Sequence, residues 1–207
     1  MQAKWIPAIL LALGLVALSS AATAQTDLAA SLYGAFSQAT NGNGTVQSPA
    51  NAAGGLLELR HIANPLIGYE ATYSFNRANQ SYSSVTPSSF VRAGSVPANA
   101  HEVTGDWVVS VKLANLRPFA LAGGGVLFAV PSNGQVPTSA GSVLTSTSKQ
   151  GVFVYGAGLD WGLLPHLGVR LQYRGNLYKA PNLTGLFTST GAFTHTAEPM
   201  IGIFLRL

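Results

Sequence analysis

The chain has 207 residues, of which 9% are charged and 47% are hydrophobic, and it contains no cysteine. Soluble domains usually carry about 25% charged residues, so this chain has too few charges to cover an ordinary water-facing surface. The lack of cysteine excludes disulfides and thiolate metal sites. The formal net charge of +4 comes from scattered residues rather than from basic runs, so we expect no nucleic-acid partner.

The first 24 residues have the features of a cleaved secretory signal peptide. Lys4 supplies a positive start, an apolar segment runs from Trp5 to Leu18, and Ala22-Thr23-Ala24 fits the A-x-A cleavage rule. The apolar segment is shorter than the roughly 20 residues that a membrane-spanning helix needs. The sequence therefore predicts export, with residues 1–24 removed and residues 25–207 forming one domain.

Beyond residue 24, large apolar side chains alternate with small or polar ones, which is typical of β-strands. Between Leu167 and Tyr178, for example, leucine, valine and tyrosine share one face, while the other face carries arginine, glutamine and asparagine. Residues 118–130 are apolar or glycine on both faces, so the pattern does not orient them. The sequence predicts eight strands, at residues 28–36, 57–60, 67–76, 106–114, 118–130, 152–163, 167–178 and 198–207.

The connections between these strands alternate in length. Tight joints at residues 63–65, 116–118 and 164–166 separate long segments rich in Ser, Thr, Asn, Gly and Pro, at residues 38–53, 77–102, 131–150 and 180–195. In an up-and-down meander every second connection lies at the same end, so the long segments gather on one side. Long loops at one end and short turns at the other are typical of bacterial outer-membrane β-barrels.

Membrane insertion explains the shortage of charge. Hydrocarbon offers no hydrogen-bond partners, so a spanning sheet must close on itself, with apolar side chains outward and polar ones inward. The sequence thus predicts an all-β fold: an eight-stranded antiparallel up-and-down transmembrane β-barrel preceded by a cleaved signal peptide. Both ends of the mature chain are expected in the periplasm, with four long loops outside. A secreted β-sandwich is the alternative, and it would need polar outer faces.

The two faces of the predicted strands give two sets of candidate residues. Aromatic residues expected to face lipid or form the interfacial girdles are Tyr69, Tyr73, Trp107, Tyr155, Trp161 and Tyr173. Charged residues expected to form an ion-pair network in the lumen are Glu58, Arg60, Glu70, Asp106, Lys112, Asp160, Arg170, Arg174, Glu198 and Arg206. Five acids and five bases leave this predicted network formally neutral.

Counting outward from the tight joints predicts cross-strand partners. Asp160 lies opposite Arg170, whereas Glu58 lies opposite Glu70, a like-charged pair that needs a neighbouring cation, for which Lys112 is the candidate. Eight strands enclose only enough space for side chains, so we interpret the lumen as a packed, ion-paired interior. The alternative is a gate whose pairs exchange partners and pass small ions.

Residue patterns for catalysis or metal binding are sparse. His101 and His195 lie towards the long-loop end, but no nucleophile or acid is spaced to orient them. No close pair of histidines or carboxylates indicates a metal site. Gly123-Gly124-Gly125 lacks the lysine and helix of a phosphate loop and is interpreted as crowded barrel wall. We predict no catalytic residue, no metal and no cofactor.

One hairpin carries a family resemblance. YGAGLDW from Tyr155 to Trp161, followed by PHLGVRLQYR from Pro165 to Arg174, resembles the strand–turn–strand of the outer-membrane protein A-type family of small β-barrels. In that family a glycine-rich strand with an acidic residue precedes a turn and a G-x-R-x-x-Y/F-R strand. The resemblance implies insertion by the outer-membrane machinery that reads the C-terminal strand. Family members commonly end in an aromatic residue, whereas this chain ends in Leu207.

These features predict an integral protein of the bacterial outer membrane with a structural or adhesive role. Its expected partners are outer-membrane lipid, lipopolysaccharide and the insertion machinery, and it is expected to be a monomer. A narrow, low-conductance porin-like channel is the first alternative function. An outer-membrane enzyme that modifies lipid is the second.

Overall fold

The computed structural model describes residues 25–85, 91–138 and 141–207, so the predicted signal peptide lies outside the described residues. The described strands, in chain order, are β1 (Gln25–Ser37), β2 (Thr40–Gly42), β3 (Thr45–Pro49), β4 (Ala52–Ile62), β5 (Ile67–Arg77), β6 (Gln80–Val85), β7 (Val91–Val96), β8 (Ala98–Ser110), β9 (Leu116–Pro131), β10 (Gln135–Thr138), β11 (Gly141–Leu144), β12 (Ser148–Gly162), β13 (Leu167–Lys179) and β14 (Phe193–Arg206). Within these ranges, no helix is long and apolar enough to cross a membrane.

Eight of these strands close into an antiparallel barrel in the order β1-β14-β13-β12-β9-β8-β5-β4. The first strand completes the circle, because Leu28 pairs with Leu205 on β14 and with Leu59 on β4. Closure leaves the barrel sheet with no edge whose amide and carbonyl groups lack partners. The predicted fold is confirmed, and the β-sandwich alternative is wrong.

The barrel is apolar outside and polar inside. Along β5, exposed Ile67, Tyr69 and Tyr73 alternate with buried Glu70 and Thr72. Leu32 on β1 is 73% exposed and Trp107 on β8 is 67% exposed. A water-facing barrel would place such side chains at its centre. Their position on the outside is the one expected of a barrel whose outer surface faces the hydrocarbon of a membrane.

The barrel strands extend further towards the long-loop end than the sequence pattern predicts. The fourth barrel strand, β8, begins at Ala98 although residues up to 102 were predicted to be loop, and it ends at Ser110 rather than at residue 114. The second barrel strand, β4, begins at Ala52 rather than at residue 57. Alanine and glycine are frequent in these extensions, at residues 52–55, 98, 100 and 105, so the alternation of large apolar side chains that marks a strand is weak there.

The long polar segments, predicted to be loops, contain six further strands. A four-stranded sheet forms in the order β2-β3-β6-β7, and β10 pairs with β11 as a hairpin. We call these six strands, together with residues 180–192, the cap. The sequence pattern did not reveal these strands, because they are rich in hydroxyl and amide side chains, a composition that is also typical of loops.

Residues 180–192 fold against the inner face of the cap sheet. Tyr82 stacks on Phe187 with ring centroids 5.3 Å apart. The Tyr82 hydroxyl donates to the carbonyl of Pro181 at 3.0 Å and accepts from the amide of Leu183 at 3.3 Å. Leu183 is fully buried beneath the sheet. The cap residues share one buried apolar cluster with residues of β8, β9, β12 and β13, so the cap packs directly onto the barrel.

Burial raises the pKa of Tyr82 to about 12, which gives the cap a testable response to alkali. In the unfolded cap Tyr82 is exposed to solvent and its pKa is near 10, so the unfolded state loses the phenol proton at a lower pH than the folded state does. The stability of the folded cap therefore falls as the pH rises from about 10 to 12. We expect limited proteolysis within residues 180–192 to accelerate over that range. In Tyr82→Phe the acceleration between pH 10 and 12 should disappear, and proteolysis at pH 8 should be faster because the hydrogen bonds of the hydroxyl are lost. If the variant keeps the same acceleration at alkaline pH, Tyr82 is not the group that causes it.

Candidate functional site: the charged lumen

All seven acidic residues of the chain lie buried inside the barrel, each at most 4% exposed. They are Asp27, Glu58, Glu70, Glu102, Asp106, Asp160 and Glu198. Sequence reasoning missed Asp27, which precedes the predicted first strand, and Glu102, which fell in a predicted loop. Both occupy inward positions once β1 and β8 are given their full lengths.

The half of the lumen nearer the short turns contains a balanced set of charges, the inner cluster. Arg60 is fully buried, and its Nε donates to Glu70 at 2.8 Å while its Nη2 lies 3.1 Å from Glu58. Its Nη1 reaches Asp160 at 3.4 Å. The Arg60 guanidinium also lies 4.0 Å above the Phe119 ring centroid, so it is packed as well as paired.

Arg170 is the second centre of the inner cluster. Its Nε and Nη2 donate to the two oxygens of Asp160 at 2.6 and 2.8 Å, a bidentate geometry that arginine forms well. Its Nη1 bonds to Glu58. Two arginines and three carboxylates are therefore interlocked across the barrel axis.

The inner cluster continues to the short-turn mouth. Arg117 donates to Gln25 at 2.9 Å and lies 4.0 Å from Asp27, which is also 4.0 Å from Arg206. Arg206 is the most exposed of the lumen arginines, with 29% of its side chain accessible. Counting these contacts, four acids meet four arginines, so the inner cluster is formally neutral.

Two predicted features of this network are wrong. Lys112 does not enter the lumen, because β8 ends at Ser110 and Lys112 lies exposed in the following turn. Glu70 lies opposite Arg60 rather than Glu58, because the hairpin is centred on Pro65 instead of Asn64. The side-chain oxygen of Asn64 accepts the amides of residues 66 and 67, which fixes that turn. By contrast, Asp160 lies opposite Arg170, as predicted.

The half of the lumen nearer the cap holds an unbalanced set of charges, the outer cluster. Arg174, fully buried, lies 3.5 Å from Glu102 and 3.7 Å from Asp106. Its nitrogens also donate to the hydroxyls of Thr72 and Thr104 at 3.2 Å. With Glu198 included, three acids share this one arginine, so the outer cluster carries a formal charge of −2.

Each half of the lumen opens into a cavity. The outer cavity, beneath the cap, is small, at about 20 Å³, and is lined by Glu102, Asn176 and Glu198 among others. The inner cavity, at the short-turn mouth, is larger, at about 340 Å³, and is lined by Lys112, Arg117 and Arg206 among others. The inner cluster lies between the two cavities.

The six predicted girdle aromatics all lie on the outward face. Tyr69, Tyr73, Trp107, Tyr155, Trp161 and Tyr173 are between 37% and 67% exposed. Two of the tyrosines bond histidines near the long-loop end: Tyr73 to His101 and Tyr155 to His195, both at 2.9 Å. These histidines lie on β8 and β14, which are not neighbours, so the structure does not bring them together as a catalytic pair.

Gly123 and Gly125 allow β9 to lie close against β8. A Cβ atom at Gly125 would clash with the carbonyl oxygen of Val103 and lie 2.7 Å from the Cα of Thr104. A Cβ at Gly123 would meet Asp106 and the carbonyl of Gly105. The glycine run therefore forms a crowded part of the barrel wall, as predicted.

A closed eight-stranded sheet with an apolar exterior and an ion-paired lumen defines a small membrane-spanning β-barrel. The chain belongs to the outer membrane protein beta-barrel domain family, whose model matches residues 8–196. This membership places the protein in the bacterial outer membrane, and the family resemblance predicted from the hairpin is confirmed. No curated protein matches the sequence closely enough to add a nearer relative.

Solved structures share the fold at low sequence identity. Neisserial surface protein A has 12% identity and a TM-score of 0.58, covering 89% of this chain and 99% of its own. OprG from Pseudomonas aeruginosa has 10% identity and a TM-score of 0.55, covering 88% and 96%. Ail, the attachment invasion locus protein of Yersinia pestis, solved with the heparin analogue sucrose octasulfate, has 14% identity and a TM-score of 0.53, covering 90% and 100%.

Proposed function

We propose that this protein is a structural and surface-contact barrel of the outer membrane, and that it contacts lipopolysaccharide. In this proposal the signal peptide is cleaved, the termini and short turns face the periplasm, and the cap lies outside the cell. The single observation that carries it is the cap. The described parts of the long segments pair into strands and share one buried apolar cluster with the barrel, so they form an ordered platform.

The charge distribution supports an anionic partner. Since every acidic side chain is in the lumen, the basic residues of the surface have no carboxylate side chain beside them. Lys149 and Lys179 lie on adjacent strands at the long-loop end, both exposed, on the face that also carries Phe153 and Leu177. Their ammonium groups lie 5.7 and 6.0 Å from the ring centroids of phenylalanines 128 and 193. Lysines above an aromatic girdle are placed to meet lipid phosphates.

We expect Lys149→Gln combined with Lys179→Gln to weaken lipopolysaccharide binding roughly tenfold or more, because each surface cation near an anionic membrane contributes about 1 kcal/mol. The measurement is binding of lipopolysaccharide to the purified barrel in lipid nanodiscs, at low and high salt. Lys112→Gln, at the opposite end, is the matched control and should bind normally. Equal loss in the control, or no loss in the double variant, would argue against this contact.

A narrow channel is the second candidate, and one observation favours it. The cavities lie at the two ends of the lumen, and hydrogen-bonded side chains of the inner cluster, together with Arg174 and its partners, lie between them, so an exchange of partners there would connect the cavities. Planar-bilayer conductance separates the candidates. Reproducible conductance steps in the wild type would support the channel, whereas an electrically silent barrel that still binds lipopolysaccharide would support the structural role.

A further inference from the structure

Glu198 is a buried carboxylate with one unpartnered oxygen. It is 4% exposed and lines the outer cavity, and its Oε2 has no hydrogen-bond partner in the described part of the chain. Arg174 lies directly opposite it in the strand register, but the guanidinium of Arg174 reaches across the lumen to Glu102 and Asp106. A buried carboxylate with an unpartnered oxygen stays ionised only if a positive charge lies nearby; otherwise it takes up a proton.

Asn176 lines the same cavity as this carboxylate. Its Nδ2 donates to both oxygens of Glu102, at 3.3 and 3.2 Å, which leaves its amide oxygen unpartnered although the residue is only 1% exposed. Glu102 is close enough to Glu198 for their charges to repel. Two carboxylates and an amide oxygen thus border one cavity without enough donors to satisfy them.

The geometry points to a site for a divalent, oxygen-preferring cation such as Ca²⁺, held in the outer cavity by Glu102, Glu198 and the amide oxygen of Asn176. Oxygen ligands of this kind are those that Ca²⁺ selects, and water supplies its remaining positions. The described residues contain no cluster of three or more carboxylates or histidines placed to hold a metal, so the site is a two-carboxylate one. A charge of +2 balances the outer cluster.

The surroundings admit such an ion. The cavity, at about 20 Å³, has room for a single ion, and water reaches it from the side that is open to solvent. Arg77 also borders it, but its side chain is exposed and follows the outward face of β5, so water screens it from the site. Because every acidic side chain is in the lumen, the described surface offers no competing carboxylate cluster.

The test measures the temperature at which the folded, chelator-treated barrel converts to the heat-modified form, with Ca²⁺, Mg²⁺ or Na⁺ added at equal ionic strength. Ca²⁺ should raise this midpoint by several degrees in the wild type and leave Glu198→Gln and Glu102→Gln unmoved. Glu70→Gln, in the inner cluster, is the matched control: it should lower the midpoint yet keep the Ca²⁺ response. Asn176→Asp, which adds a carboxylate, should bind Ca²⁺ more tightly.

Direct binding provides a second readout. Tb³⁺ in place of Ca²⁺ should give luminescence sensitised by Tyr178, which lines the same cavity, and Glu198→Gln should abolish it. A wild type that shows neither a Ca²⁺ shift nor Tb³⁺ luminescence overturns the proposal. So does a Ca²⁺ response that persists in the Glu102→Gln, Glu198→Gln double variant, or one that Na⁺ reproduces in full.

Discussion

Replacing Arg170 with methionine should lower the free energy of unfolding by about 3–5 kcal/mol, because it strands two buried carboxylates. Arg170 is fully buried and supplies the bidentate bond to Asp160 as well as a bond to Glu58. Without it, those carboxylates retain only the more distant contacts of Arg60. Urea unfolding of the barrel in lipid vesicles measures the change.

Two further variants show whether the loss comes from stranded charge. Lys112→Met removes an exposed cation from a turn and should change stability by no more than about 0.5 kcal/mol. Adding Asp160→Leu to Arg170→Met should restore much of the loss, because replacing both members of a buried pair by apolar residues is often neutral. If Arg170→Met is as stable as the wild type, the inner cluster does not hold the barrel together.

Gly125→Val should be comparably destabilising, at about 3 kcal/mol or more, for a steric reason. The new Cβ would clash with the Val103 carbonyl oxygen, and backbone cannot move aside as a flexible side chain can. We expect the variant to refold poorly and to lose the compact, heat-modifiable band on gels. Gly105→Val is the matched control, since a Cβ there meets nothing within 4 Å. Normal folding of Gly125→Val would mean that β8 and β9 can separate without cost.

The lumen residues that could be predicted from the sequence are those on strands with a strong alternating pattern. Arg170, Arg174 and Asp160 lie in the two strands with the strongest alternation, so both their burial and the Asp160–Arg170 register follow from the residues and one well-defined turn. Glu102 was not predicted to lie in the lumen, because Ala98 and Ala100 give the start of β8 no alternating pattern of large apolar side chains. Lys112 was misplaced because the apolar residues Val111 and Leu113 prolong the strand pattern past the point where the chain turns.

Sequence alone determined the barrel and its orientation towards lipid, because side-chain alternation and overall charge are local or additive properties of the chain. Apart from the Asp160–Arg170 pair, which one short turn sets, only the tertiary structure decided which arginine meets which acid. Arg60 and Asp160 are far apart in sequence and face one another solely because the sheet closes. The cap was likewise decided by tertiary structure, since Tyr82 gains its partners at Pro181 and Phe187 only when distant loops meet. The excess of acid near Glu198 is a property of that assembled space, where one arginine is shared among three carboxylates.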